Sequence, residues 1–268
     1  MKKWLAAFGL FLVVMSAQAA DTIFIGFLDY NRSPIQAVQD ARGFTSYLSR
    51  VLGAPVKIDV SRNYDKLMVE AKQKRFGLVF GPATFVMDAY AKAGYEPIVR
   101  VPGQLAATFV APSSSGIAFP EDMKGKRIGF TDKKSMVTLL AMAKLRDLKI
   151  NPATYFKSVT YYNDIDGLYT AFKYHLIDVG VPNAGVYEMW NNGGAIDFNM
   201  IVQSEGGPHL TFAVRGDYSA ELKQKISQAL LNADKDQFAM QSFRGAGIPK
   251  FEPVDMAQYR AMMSYIKQ

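Results

Sequence analysis

Four hydroxyl side chains stand where helices are expected to begin. Ser33 precedes Pro34, Thr84 follows Gly81-Pro82, and Ser135 and Thr138 share one turn. A helix N-terminus presents backbone N–H groups without intrahelical partners and a partial positive charge, so it receives anions. A serine or threonine there caps the helix, and the same hydroxyl can face a ligand. Both uses stay open for these residues. Arg32 has the planar fork of donors that grips a carboxylate or phosphate; otherwise it is a solvated loop arginine. Tyr30, Tyr64 and Phe85 follow strands or open helices, where aromatic rings either wall a cleft or fill a core. Met136 and Val137 would make such a cleft more apolar, which suits a solute with an organic part. Asp132, Asp164 and Asp166 can meet a cationic group, but solvated helix caps are the simpler reading.

Reactive chemistry is poorly provided for. The chain has no cysteine and 2 histidines, His175 and His209. Thiol catalysis and cysteine-ligated metal are thereby excluded. The histidines lack the spacing of helical metal ligands, and any histidine-based triad has to use one of them. His175 falls near the end of a predicted helix and His209 follows Gly206-Gly207-Pro208, places that suit structural or surface roles. Carboxylates can act as acid or base, but no paired arrangement stands out. Binding without turnover, and without metal or cofactor, is the expectation.

The N-terminus supplies the address. Lys2 and Lys3 precede an apolar run from Trp4 to Met15, followed by Ser16-Ala17-Gln18-Ala19. This pattern predicts a secretory signal peptide over residues 1–19, cleaved near Ala19, because the run is too short to span a bilayer. No cysteine at the cut offers a site for lipid. The mature chain is expected in the periplasm. Losing Lys2 and Lys3 leaves 29 basic against 24 acidic side chains, a scattered excess. The basic knots Lys72–Arg75 and Lys124–Lys134 read as solvated helix ends and loops, so nucleic acid is not an expected partner. With 49% hydrophobic residues the chain can build a full core, held without disulfides.

Short apolar runs alternate with amphipathic segments along the mature sequence. Thr22–Leu28 reads as a buried strand, and Ser33-Pro34 opens a helix that runs to Leu52 before Gly53. Strands and helices then alternate to Ala111, where Pro112-Ser113-Ser114-Ser115-Gly116 reads as a linker into a second alternating set. The fold class is α/β: two lobes, each a mostly parallel sheet flanked by helices. The expected division is residues 20–111 plus 213–268 for lobe 1 and 112–212 for lobe 2, with crossings near Ala111–Ser113 and Leu210–Ala213. Ligands sit beyond the carboxyl ends of the strands, so the two lobes should face each other across a cleft that closes on its guest.

The chain resembles periplasmic solute-binding proteins of the phosphate/phosphite/phosphonate type that serve ABC importers. The resemblance covers nearly the whole mature chain. It is carried by Tyr47-Leu48-Ser49-Arg50-Val51-Leu52-Gly53-Ala54-Pro55-Val56, Phe80-Gly81-Pro82-Ala83-Thr84-Phe85, Met123–Phe130 and Ile150-Asn151-Pro152, in that order. It implies a type II periplasmic-binding-protein fold and a helix start that binds phosphonate oxygens. The family phrase Asp-x-x-Ser-Thr-Ser-Gly reads Asp132-Lys133-Lys134-Ser135-Met136-Val137-Thr138 here, so Ser135 is kept and two hydroxyls are replaced. The family tyrosine after Gly-Pro is Phe85, a histidine expected near Asn163 is absent, and an acidic position for a ligand amine corresponds to Asn183. Tyr64 is similar to a family pocket position.

The expected function is therefore the substrate-binding component of an ABC importer. It would take a small anionic solute, work as a monomer and dock on a membrane permease. The ligand-contact set is Tyr30, Arg32, Ser33, Tyr64, Thr84, Phe85, Ser135, Met136, Thr138, Asn163 and Asn183. Two alternatives are a ligand-binding sensor that signals to a membrane kinase or cyclase, and a periplasmic enzyme on the same fold. The shortage of catalytic side chains weighs against the enzyme.

Overall fold

The computed structural model describes residues 21–29, 33–245 and 248–267. The signal-peptide reading, Tyr30 and Arg32 lie outside them. The chain opens with β1 (Ile23–Leu28), α1 (Pro34–Asp40), α2 (Arg42–Leu52), β2 (Val56–Ser61) and α3 (Tyr64–Lys72). Next come β3 (Leu78–Gly81), α4 (Ala83–Ala93), β4 (Tyr95–Arg100), β5 (Gln104–Leu105) and β6 (Thr108–Pro112). The second set is β7 (Arg127–Phe130), α5 (Met136–Asp147), α6 (Pro152–Tyr155), β8 (Ser158–Tyr161), α7 (Ile165–Lys173), β9 (Val179–Gly180), α8 (Ala184–Gly193) and β10 (Phe198–Gln203). The chain returns through β11 (Gly207–Pro208), β12 (Thr211–Arg215), α9 (Ala220–Leu231), α10 (Gln241–Gly245), β13 (Glu252–Pro253) and α11 (Met256–Lys267).

Two sheets carry the lobes. Lobe 1 has strand order β13-β4-β12-β3-β1-β2, and lobe 2 has β10-β6-β9-β7-β8. The parallel strands β2-β1-β3 and β8-β7-β9 are extended by antiparallel neighbours. Alternate side chains on the central strands enter opposite cores. In lobe 1, Ile25, Phe27, Phe80 and Phe212 pack under α2 and α9, while Leu28 and Val79 pack under α3 and α4. The rings of Phe80 and Phe212 stack at 4.0 Å. Lobe 2 repeats the plan, with Ile128 and Phe130 under α5 and with Val110 and Phe198 among α7 and α8 residues.

Most expected elements are present within one or two residues, and four details differ. The helix expected over 33–52 is split at Ala41, which lets Gly43 lie so close to the Phe238 carbonyl that a Cβ there would sit 2.3 Å from it. The lobe crossing expected at 111–113 lies earlier. The strand β6 already pairs with β9 and β10, and Pro112–Gly116 is a tight turn inside lobe 2. The crossings are β5 and β11, which pair with each other, and Ala107 and Ser204 exchange bonds beside them: the Ala107 N–H donates to Ser204 Oγ and the Ser204 N–H to the Ala107 carbonyl. Finally, α11 is not confined to lobe 1 but bridges from it to α5 of lobe 2. Tyr259 and Met262 pack among Met136, Leu140, Ala141 and Leu145 of α5, and Arg146 donates to the Tyr265 carbonyl at 2.8 Å. An amphipathic helix goes where its apolar face finds cover, and β13 delivers α11 beside α5.

The two histidines have structural surroundings. His175 closes α7 in the left-handed conformation (φ 53°), and its carbonyl accepts from Arg127 Nη1 at 2.7 Å. His209 sits between the hinge strand β11 and β12, with its Nδ1 accepting the Leu210 N–H at 2.8 Å. Burial first, and then the Arg100 guanidinium, hold its pKa below the ordinary histidine value. A proton added at Nδ1 destroys that bond. The unfolded chain takes up this proton more readily, so the contribution of His209 to stability is full above pH ~6.5 and falls away as pH drops below it. Urea denaturation from pH 7.5 to 5 checks this: His209→Asn should be less sensitive to pH than the parent chain across that window.

Candidate functional site

The carboxyl ends of both parallel strand sets face a common cleft of about 880 Å³, within the usual size of small-molecule sites. Lobe 1 contributes the end of β2 and the start of α3, from Val60 to Lys66. Lobe 2 contributes the loop Asp132–Lys134 ahead of α5 and the turn Tyr161–Asp164 ahead of α7. Every helix that starts here is capped from its own sequence. Asn63 Oδ1 accepts the Lys66 N–H, Asp164 Oδ1 accepts the Gly167 N–H, and Ser135 Oγ accepts the Thr138 N–H. The caps explain why these turns form where they do, and they leave the preceding side chains at the cleft.

Ser135 and Thr138 belong to a buried hydroxyl cluster. Ser135 Oγ lies 2.9 Å from Thr131 Oγ1 and donates to Thr138 Oγ1 at 3.0 Å. Thr131, at the end of β7, was not foreseen as part of this group. Asp132 shapes the turn, since its Oδ1 accepts the Lys134 N–H and its carbonyl accepts the Ser135 N–H. Across the lobe boundary stands the start of α4. Ala83 packs in the same core as Met136 and Leu140. Its neighbour Thr84 is only 5% exposed, and its Oγ1 has no hydrogen-bond partner among the described residues.

The other expected contacts divide. Tyr64 and Asn163 line the cleft from opposite lobes. Ser33 is exposed at the start of α1, next to Pro34 of the cleft wall, and accepts the Gln36 N–H at 3.2 Å. Asn183 caps α8 beside the hinge, where it bridges Ala107, and it is absent from the cleft lining. Phe85 and Met136 present almost no surface, at 0% and 1% exposure. Phe85 turns into the lobe 1 core, where the absent side chain of Gly81 makes room for its ring and Tyr64 meets it edge to face. Met136 points toward Gly207 of the hinge strand and Met262 of α11. Both residues thus support the cleft from behind.

Charged side chains that read as solvated caps and loops in the sequence line the cleft. Arg62, Lys66, Lys133 and Lys134 bring four cations to the cleft, against Asp65, Asp132 and Asp164. Lys133 Nζ lies 4.8 Å from the centre of the Tyr161 ring. Burial pushes the Tyr161 and Tyr162 phenols above the ordinary tyrosine pKa, so both are neutral donors at physiological pH. The signal that could have found these residues is position: each lies just beyond a strand's carboxyl end. Among the described residues no cluster of histidine, cysteine or carboxylates is placed to hold a metal, and no helix is long and apolar enough to cross a membrane.

The architecture recurs in solved structures. A binding-protein component of a Pseudomonas aeruginosa ABC phosphonate transporter superposes with TM-score 0.78 at 18% identity, covering 92% of this chain and 87% of that one. PhnD1 of Prochlorococcus marinus, solved with methylphosphonate, gives 0.79 at 17% identity, covering 92% and 97%. A Xanthomonas citri protein solved with ATP gives 0.77 at 15% identity, also covering 92% and 97%. At such identities these likenesses establish the two-lobed fold. The family follows from the sequence itself: residues 29–259 match the model of the "ABC transporter, phosphonate, periplasmic substrate-binding protein" family. By that match, which spans most of the chain, this protein belongs to the phosphonate substrate-binding family of ABC transporters, whose members are solute-binding proteins of the periplasm that serve a membrane permease.

Proposed function

We propose that the solute is a small anion with phosphonate-like oxygens and an organic part, captured between the lobes and released unchanged. The observation that carries this reading is Thr84, whose hydroxyl is buried without a partner among the described residues in the first turn of α4, where that helix meets α5. A buried hydroxyl left unpaired costs stability, and such groups call for an explanation. A ligand oxygen lodged between the starts of α4 and α5 would complete its bonding and receive free backbone N–H groups from both helices. Two structural relatives were solved with phosphorus oxyanions, methylphosphonate and ATP.

In this reading Thr84 holds the anion from lobe 1, and Ser135 and Thr138 hold it from lobe 2. Ser33, Tyr64 and Asn163 surround the organic part, Asn183 shapes the hinge side by capping α8, and Tyr30 and Arg32 complete the proposed contact set. Phe85 and Met136 fix the two helix starts. Ligand that touches both lobes favours the closed state by that difference in contact. The mature chain acts as a periplasmic monomer after cleavage behind Ala19. Isothermal calorimetry with methylphosphonate, phosphite, phosphate, methanesulfonate and acetate tests the assignment. Saturable one-to-one binding is expected for methylphosphonate, with acetate the weakest. Heat from none of the phosphorus oxyanions would overturn it.

A further inference from the structure

The lobes are joined across the cleft by two ion pairs of opposite polarity. Lobe 1 offers the cation Arg62 and the anion Asp65, and lobe 2 answers with the anion Asp164 and the cation Lys134. Arg62 Nη1 lies 3.2 Å from Asp164 Oδ2, and Lys134 Nζ lies 2.6 Å from Asp65 Oδ2. All four residues line the cleft. The Lys134 ammonium also stands 5.5 Å from the centre of the Tyr64 ring. Both receiving surfaces are braced within their own lobes. The Tyr64 hydroxyl donates to Asp88, which also pairs with Lys92, and Asp164 is held by its cap bond to Gly167.

From this arrangement we infer that the two pairs form a charge latch that holds the lobes together without ligand and thereby sets the affinity of the cleft. The inference rests on the proposed function only in placing the ligand between the lobes. The reciprocal signs allow one register of closure, because a shift or rotation of the lobes sets like charges toward each other. Each pair is partly exposed, so one alone contributes little. The two form in the same closing step, and together they shift the closed-to-open ratio by about fivefold. Apparent affinity scales with the fraction of chains already closed, so loss of the latch weakens binding, by less than that factor where the closed state predominates. Salt weakens both pairs as the screening length shrinks from about 10 Å at 0.1 M toward 3 Å at 1 M.

The chain has no cysteine, so two introduced ones can be labelled cleanly. Lys57→Cys in lobe 1 and Lys157→Cys in lobe 2, both exposed, carry spin labels for electron–electron double resonance without ligand. At low salt the labelled chain should show mainly the shorter distance. The added pair Asp65→Asn and Asp164→Asn should move much of the population to a longer one, and high salt should move the parent chain the same way. The swap Asp65→Lys with Lys134→Asp should recover the shorter distance, since it restores one pair with its charges exchanged. Identical distance distributions in parent and double variant would overturn the latch, as would a swap that stays open. This readout uses no ligand, so a failed methylphosphonate titration would count against the proposed function and leave the latch standing.

Discussion

Thr84→Val is expected to make the ligand-free chain more stable and to cost most of its affinity for methylphosphonate. The two effects have one origin. The Thr84 hydroxyl lies in the interior without a partner among the described residues, so the native state carries its desolvation cost. Valine keeps the shape and removes the polar atom, which should raise the unfolding free energy by about 1–2 kcal/mol. The same change deletes the bond that a bound oxyanion would complete, so the dissociation constant should rise about tenfold or more. Urea denaturation of the ligand-free variant and calorimetry with methylphosphonate give the two readings. A variant that binds as tightly as the parent chain would remove Thr84 from the site.

Ser135→Ala should weaken binding similarly while moving stability the other way. Ser135 caps α5 and meets both Thr131 and Thr138. Removing its oxygen strips the Thr138 N–H of its cap and leaves two buried hydroxyls with fewer partners, at about 1–2 kcal/mol. Ligand affinity should again drop at least about tenfold, because the same oxygen orders the turn that presents the α5 N-terminus. Ser135→Thr keeps the cap and should restore most of the stability. Denaturation curves and calorimetry on both variants check the pair. Ser135→Ala with parental affinity would show that the oxygen is a cap alone.

Much of this molecule is written in local signals. Ser33-Pro34 and Ser135 mark helix starts, and each side-chain oxygen accepts the expected backbone N–H. The apolar runs at 22–28, 127–131 and 211–214 name the central strands, because a strand buried on both faces has few other compositions. The hinge was less legible. Pro112-Ser-Ser-Ser-Gly116 has the composition of a linker, but composition cannot distinguish a turn within a lobe from a passage between lobes. Gly207 and Ser204, which make the actual passage, are ordinary residues whose role depends on pairing with a distant segment. The placement of α11 was hidden for the same reason: Tyr259 and Met262 call for apolar cover without naming which helix gives it.

The cleft was half legible. The helix starts could be read from spacing alone, and Ser33 and Ser135 do cap α1 and α5. Phe85 and Met136 could not be placed, since a first-turn side chain points either to the cleft or to the core according to the local twist. Lys133 and Lys134 look like any solvated pair in a loop. Only the approach of α3 from the other lobe gives Lys134 the partners Tyr64 and Asp65 to answer.

The docking of α11 on α5 has a mechanical consequence. Polypeptide passes between the lobes at β5, at β11 and again between Pro253 and Met256, and the Thr211 hydroxyl meets the Tyr259 phenol at 2.5 Å beside the last passage. A door on two neighbouring straps can swing and also twist about its long edge. A third strap, seated on β11 through Met262 and tied to Thr211 through Tyr259, stiffens that edge against the twist and leaves the swing. Opening should therefore proceed along a single arc, returning each half of the anion-gripping surface to the same alignment at every cycle.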